Sequence, residues 1–186
     1  MSDYNNPANI EHGQGYAGEL DDEQGNPKLY AGRFVMFENK IMGTRALFRD
    51  VKSKVKQFDG DIAQMISKFA PDFENPTNNY VEYVQVRVGK ERIETAEDLR
   101  FAVMGIIEFE NGINSPRTSE YLDKDALDTA QNLAEISLPR SIRYAEALKR
   151  IVKQAPEHIV EELIEIESKN IGASIGKYIG TKVASK

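Results

Sequence analysis

Apolar residues recur at helical spacing along most of the chain after residue 39. Leu47, Val51 and Val55 follow one another every four residues, which predicts an amphipathic helix that ends near Gly60. The same spacing predicts further helices over residues 62–69, 77–88, 95–111, 125–137 and 140–155, and a last helix that opens at residue 156. The fold class is therefore predicted to be mainly α.

Polar residues mark the starts of three of these helices. Asp61 and Thr77 are suitable caps for the second and third helices. Thr95 and Asp98 have the spacing of a capping box, in which each side chain accepts a hydrogen bond from the other residue's backbone. Gly112 follows the helix over residues 95–111 and predicts its end.

The first forty residues lack helical spacing. They are rich in glycine, proline and asparagine, which indicates turns and loops. Within them, the Phe-Val-Met-Phe sequence at residues 34–37 forms either a short strand or a buried loop anchor.

After Pro116 the sequence becomes charged and helical with few aromatic residues, which predicts a boundary near residue 117. The predicted units are residues 1–117 and residues 118–186.

Composition and charge exclude several classes of protein. The chain has 186 residues, no cysteine and a formal net charge of −6, so disulfides and thiolate metal sites are excluded. His12 and His158 are far apart, and we expect neither a metal site nor a cofactor. An acidic chain without a basic stripe is not expected to bind nucleic acid specifically. We find neither the pattern of a signal peptide nor a run of about 20 apolar residues.

One acidic residue falls on the apolar face of its predicted helix. At 100° per residue, Glu110 lies on the same stripe as Leu99, Val103 and Ile106, whereas Glu108 falls almost opposite, toward water. A carboxyl group on the buried side is partly desolvated, and desolvation raises its pKa. A raised pKa suits a general acid that works near neutral pH. The alternative is that Glu110 lies at the solvent edge or caps a local group.

The last 17 residues carry two ridges at a spacing of four. One ridge is glycine and the other is aliphatic, and they consist of Gly172, Gly176 and Gly180, and of Ile171, Ile175, Ile179 and Val183. On a helix these ridges permit close helix–helix approach, which favours self-association or transient membrane contact. The alternative is an irregular tail or packing within the chain, because glycine disfavours helix formation.

Several short motifs occur in order between residues 4 and 113. They are Asn5-Asn6-Pro7-Ala8-Asn9-Ile10, Tyr16-Ala17-Gly18, Phe34 to Phe37, Gly43-Thr44-Arg45-Ala46-Leu47, Phe69-Ala70-Pro71, Glu74-Asn75-Pro76-Thr77-Asn78-Asn79-Tyr80-Val81 and Glu110-Asn111-Gly112. This series resembles that of a family of bacteriophage virion-associated, lysozyme-like proteins, whose first motif is Asn-Asn-Pro-Gly-Asn-Ile. Here Ala8 replaces the glycine, so the loop must differ if that position needs a positive φ.

The resemblance implies an α+β lysozyme-like fold and an enzyme that degrades peptidoglycan, either a lytic transglycosylase or a glycosidase of the muramidase or glucosaminidase type. In this chain the loop that would line the cleft comes first and the Glu-Asn-Gly motif comes last, so we hypothesise a circular permutation. Glu110 would be the general acid/base, and the sugar site would be lined by Asn5, Asn6, Asn9, Tyr16 and Tyr80. The hypothesis requires the end of the helix over residues 95–111 to lie beside the N-terminal loop.

The number of acidic groups separates two reaction types. A lytic transglycosylase needs one carboxylic acid, whereas glycoside hydrolysis usually employs a pair. Candidates for a second acid lie in the loop-rich region and are Glu11, Glu19, Asp21 and Asp22. The sequence spacing does not single out any of these four residues as the second acid.

Two roles in the virion are consistent with the resemblance. The chain is expected to be a virion protein, made in the host cytoplasm, that acts on the peptidoglycan glycan strand at the host envelope during genome ejection. Residues 118–186 would then bind other virion proteins and form a homo-oligomer. The alternative is an inactive structural or internal virion protein that keeps a lysozyme-like fold and assembles through its C-terminal helices.

Overall fold

The computed structural model describes residues 4–69 and 77–154. Residues 4–39 consist of turns, isolated bridges and one antiparallel hairpin. Its strands are β1 (Leu29–Tyr30) and β2 (Phe34–Val35), with Leu29 opposite Val35 and Tyr30 opposite Phe34. Of the two alternatives for residues 34–37, a short strand is therefore present at the first two of these residues.

The helices of the described residues account for most of the regular structure, so the prediction of a mainly helical chain is confirmed. They are α1 (Lys40–Gln57), α2 (Ile62–Phe69), α3 (Thr77–Val88), α4 (Ala96–Asn111), α5 (Pro116–Tyr121), α6 (Lys124–Ala134) and α7 (Tyr144–Gln154). The sequence pattern missed the short α5 and placed the start of α7 four residues too early. None of these helices has the length and apolar character needed to cross a membrane.

Local capping explains where α2 and α4 begin. Asp61 accepts a hydrogen bond from the backbone N–H of Gln64 at 2.8 Å. Thr95 and Asp98 form the predicted capping box at the start of α4, and Gly112 ends that helix with a φ of 84°. Thr77, predicted as a cap, is instead the first residue of α3 and is buried.

A continuous hydrophobic core joins the helices on both sides of residue 117. Helix α1 lies at its centre, and its Leu47 belongs to the same cluster as Leu127 and Leu133 of α6. The buried guanidinium of Arg45 donates hydrogen bonds to the carbonyls of Leu133 and Ile136, each at 3.0 Å, at the C-terminal end of α6. The separation into residues 1–117 and 118–186 stays a prediction. The predicted helix from residue 156 and the glycine ridge lie outside the described residues.

The N-terminal loop lies directly against α1. A Cβ atom at Gly43 would be 1.7 Å from the carbonyl oxygen of Asn5, so only glycine allows this approach. The side chain of Asn5 donates to the carbonyl of Phe37 at 3.0 Å, just before α1 begins. Residues 5–10 are thereby held close to the helical core.

Candidate active site

The end of α4 lies beside the N-terminal loop. Nδ2 of Asn9 donates a hydrogen bond to Oε2 of Glu110 at 3.1 Å. The neighbouring Asn111 donates to the carbonyl of Pro7 at 2.6 Å and to that of Ile107 at 2.8 Å. The juxtaposition that the permutation hypothesis requires is therefore present, although the permutation itself stays a hypothesis.

The side chain of Asn6 stabilises the N-terminal loop through hydrogen bonds to backbone groups. Its Oδ1 accepts from the backbone N–H of Ile10 at 2.9 Å, and its Nδ2 donates to the carbonyls of Ile10 at 3.0 Å and Val35 at 2.9 Å. The side chain is buried, so its hydrogen bonds are made within the protein. Together with Asn5, Asn6 shapes the loop that carries Asn9, whereas Asn9 is the exposed asparagine that reaches Glu110.

Two residues of the loop adopt the left-handed backbone conformation, and both are asparagine. Asn5 has a φ of 55° and Asn9 a φ of 52°, a region that asparagine tolerates better than most residues. Ala8 is buried and does not have a positive φ. The replacement of glycine by Ala8 therefore creates no backbone strain at that position.

Tyr30 of β1 orients Asn9. Its hydroxyl donates to Oδ1 of Asn9 at 2.6 Å, which leaves the Nδ2 of the same amide directed at Glu110. The ring of Tyr30 stacks on that of Tyr4, with centroids 4.1 Å apart and planes 4° from parallel. Sequence reasoning missed Tyr30, because its only signal was an aromatic residue in a loop-rich region and its pairing with Asn9 is a tertiary contact.

Tyr80 of α3 lies on the inner side of Glu110. Its side chain is fully buried and stacks on Phe109, with ring centroids 3.9 Å apart. Within the described residues the Tyr80 hydroxyl makes no hydrogen bond of normal geometry, and the nearby carboxyl group of Glu110 interacts with it. Burial first, and then this acidic neighbour, raise the pKa of Tyr80 well above its ordinary value. Tyr80 therefore stays protonated beside the carboxyl group of Glu110.

The environment of Glu110 favours its neutral form. Burial raises the pKa of Glu110 above the ordinary value of a glutamate, and the Tyr80 hydroxyl and the Asn9 amide oppose that rise. None of the ion pairs formed among residues 4–69 and 77–154 involves Glu110. Glu110, Asn9, Tyr30 and Tyr80 are called the Glu110 cluster below. The arrangement places a protonatable carboxyl group among uncharged hydrogen-bonding side chains.

The expectation that Glu108 faces water is wrong. Its side chain is only 12% exposed and accepts from Nε of Arg87 at 3.0 Å and from the hydroxyl of Tyr83 at 3.1 Å. Both partners belong to α3, which packs against α4. The apolar stripe is correct for Leu99, Val103 and Ile106, which are all buried, but the helix is covered on a second side as well.

Tyr16 makes its contacts elsewhere. Its hydroxyl donates to Oδ1 of Asp50 on α1 at 3.0 Å, and its backbone N–H donates to Oε1 of Glu19 at 2.7 Å. Burial, followed by the negative charge of Asp50, raises the pKa of Tyr16 above its ordinary value. The structure therefore brings Asn9 and Tyr80 to Glu110, but it engages the hydroxyl of Tyr16 with α1.

The four candidates for a second acid are occupied by other contacts. Glu19 accepts from Nε of Arg140 at 2.7 Å, and the same guanidinium forms a two-point contact with Asp21. Asp22 accepts from the backbone N–H of Asn26 at 2.8 Å within a turn, and exposed Glu11 lies 3.3 Å from Nη1 of Arg33. None of these contacts is made with Glu110.

The histidine, aspartate and glutamate side chains of the described residues do not form a group of three or more that could hold a metal ion. In comparisons with known proteins, no family model matches the chain and no curated protein matches it. The Glu110 cluster is the candidate active site among the described residues.

Proposed function

We propose that this chain is a phage virion-associated enzyme that degrades peptidoglycan, with Glu110 as its general acid/base. The observation that carries the proposal is the half-buried Glu110 at the end of α4, which is joined to Asn9 and has a raised pKa. A carboxylic acid that stays protonated toward neutral pH can donate a proton to a glycosidic oxygen. The series of motifs that resembles the virion-associated family supports peptidoglycan as the substrate.

A reaction with one acid suits the site better than one with two. Retaining and inverting glycosidases place two carboxyl groups across the scissile bond, about 5–10 Å apart. The four candidates for a second acid are instead committed to Arg33, Arg140 or a backbone turn. We therefore assign lytic transglycosylation, which needs Glu110 alone, as the favoured reaction.

The proposed step balances without a cofactor. Glu110 gives its proton to the glycosidic oxygen as the bond between that oxygen and C1 of the muramic acid residue breaks, so the leaving sugar departs with a hydroxyl group. The 6-hydroxyl of the same muramic acid residue then bonds to C1 and closes a 1,6-anhydro ring. Its proton passes to the carboxylate of Glu110, which restores the acid.

The neighbours of Glu110 support both halves of that cycle. Asn9 donates to Oε2, which stabilises the carboxylate that forms after proton transfer. Tyr30 holds the amide of Asn9 in the donating orientation. Burial of the carboxyl group raises its pKa, which favours the protonated form that acts as the acid.

An ion pair between Glu110 and a lysine or arginine would favour the alternative, an inactive structural virion protein that keeps a lysozyme-like fold. Among the described residues no lysine or arginine forms an ion pair with Glu110, which supports the enzyme. In either role we propose that residues 118–186 bind other virion proteins and form a homo-oligomer. Transient membrane contact is proposed only for the tail, beyond the described residues.

Digestion of purified peptidoglycan tests the enzyme. The wild type, Glu110→Gln and the matched control Glu97→Gln, an exposed acid on the same helix, are compared by mass analysis of the released muropeptides. We expect anhydro-muramyl products from the wild type and the control, and a loss of about a thousandfold or more in Glu110→Gln. Absence of cleavage by folded wild-type protein would leave the structural role as the function.

A further inference from the structure

Arg117 lies near the Glu110 cluster and, among the described residues, forms no ion pair with an acidic side chain. It lies on α5, and its Nη2 makes a long hydrogen bond of 3.4 Å to the carbonyl of Asn6. In the described part of the chain its Nε is buried without a hydrogen-bond partner. Its guanidinium carbon is 5.8 Å from the centre of the Tyr121 ring. These contacts fix the position of the side chain but leave its hydrogen-bonding capacity largely unused.

Seven other arginines in the described residues have a charged or hydrogen-bonding partner, and the remaining two, Arg143 and Arg150, are exposed. The ion pairs join arginine to aspartate or glutamate at Arg33, Arg87, Arg92, Arg100 and Arg140. Arg45 and Arg49 donate to carbonyls at the end of α6. A buried donor without a partner costs stability, so its presence needs a reason.

The location of Arg117 supplies that reason. Asn6, whose carbonyl it contacts, belongs to the same loop as Asn9, and Asn9 contacts Glu110. Burial raises the pKa of Tyr30 to about 12, the positive charge of Arg117 opposes this rise, and the negative charge of Glu110 adds to it. The Tyr30 hydroxyl therefore lies within the electrostatic field of both Arg117 and Glu110.

We propose that Arg117 binds a carboxylate of the substrate and so makes the site selective for anionic glycan strands. This inference rests on the proposed function. A peptidoglycan strand offers carboxylates from two sources, the lactyl group of muramic acid when the stem peptide is absent and the stem peptide itself when it is present. Guanidinium binds such groups through charge-assisted, two-point hydrogen bonds. Chitin oligomers have the same type of sugar backbone but carry no carboxylate.

Calorimetric binding tests the selectivity in the full-length chain. The protein carries Glu110→Gln so that the ligands stay intact, and Arg117→Gln, Arg117→Lys or Arg150→Gln is added, where Arg150 is an exposed arginine on α7. Three tetrasaccharides serve as probes: chitotetraose, the peptidoglycan tetrasaccharide without peptides, and the same tetrasaccharide with stem peptides. Thermal unfolding checks that each variant is folded, and cleavage by the wild type is measured in parallel.

We expect tighter binding of one or both anionic probes than of chitotetraose, and the probe that shows it identifies the source of the carboxylate. Arg117→Gln should weaken that binding by roughly tenfold or more and leave chitotetraose unchanged, because one charge-assisted contact is lost. Arg117→Lys should recover part of the preference, and Arg150→Gln should keep all of it.

An equal loss for all three probes, or an unchanged preference in folded Arg117→Gln, would overturn the role of Arg117. Those results leave the proposed function intact if the wild type still cleaves peptidoglycan. Absence of binding of all three probes to Glu110→Gln, together with absence of cleavage by the wild type, overturns the proposed function as well.

Discussion

Nδ2 of Asn9 lies 3.1 Å from Oε2 of Glu110, although the two residues are 101 positions apart in the sequence. This contact joins the loop at the start of the chain to the end of α4. It also acts against burial, because a donor to the carboxylate stabilises its charged form whereas removal from water destabilises it. The pKa of Glu110 is raised because burial is the larger of the opposing effects.

Replacement of Asn9 by alanine should extend activity to higher pH. Loss of the donor removes an effect that lowers the pKa of Glu110, so the carboxyl group keeps its proton further into the basic range. Peptidoglycan cleavage measured against pH should therefore show its basic limb displaced upward in Asn9→Ala. The maximum rate should fall roughly tenfold, since the carboxylate formed in the reaction has lost a hydrogen bond.

The control for this variant is Asn78→Ala, which removes an exposed amide from α3. Its pH profile should coincide with that of the wild type. A profile of Asn9→Ala that keeps the wild-type basic limb, in a protein with an unchanged unfolding temperature, would show that Asn9 does not act on the titrating acid.

Tyr30→Phe should reproduce part of the Asn9→Ala effect. The hydroxyl of Tyr30 acts through the amide that it orients, so its removal leaves Asn9 present but less well directed. We expect a severalfold loss of rate and a smaller upward displacement of the basic limb. The double variant should be no worse than Asn9→Ala alone, because the hydroxyl then has nothing to orient. Additive losses would indicate that Tyr30 contributes independently.

The sequence predicts those features of the site that are local to one helix. Glu110 on the apolar stripe and the capping box of Thr95 with Asp98 follow from residue spacing, and both are seen in the structure. The contacts of Tyr30 and Glu108 depend on which elements pack together. Helical spacing cannot show that α3 covers Glu108 or that the β-hairpin brings Tyr30 to Asn9.

Tyr16 illustrates the limit of reasoning from a motif. Its aromatic side chain matches the pattern of the resembled family, and on that basis it was expected to line the sugar site. In the structure its hydroxyl donates to Asp50, its backbone N–H donates to Glu19, and Glu19 accepts from Arg140. The motif match thus singles out Tyr16, but it does not predict which residues Tyr16 contacts in the fold.

Glu110→Gln should be more stable than the wild type near neutral pH. The pKa of Glu110 is higher in the folded chain than in the unfolded chain, so the folded state holds its proton more tightly. Stability therefore falls as the pH rises through the interval between the two values, and a neutral glutamine avoids this loss. Unfolding by urea at several pH values should show the advantage at pH 7 and its disappearance below the ordinary pKa of glutamate. An advantage that does not depend on pH would contradict this origin.

Truncation should show which part of residues 118–186 belongs to the folded core. A chain ending at Pro116 loses Leu127 and Leu133 from the hydrophobic cluster, along with the carbonyl partners of Arg45. Each lost core leucine costs about 2–5 kcal/mol, which together approaches the whole stability of a domain. We therefore expect no cooperative thermal transition after truncation at 116, whereas a chain ending at Gln154 keeps the described core and should unfold cooperatively. A cooperative transition in the shorter chain would establish residues 1–117 as an independent domain.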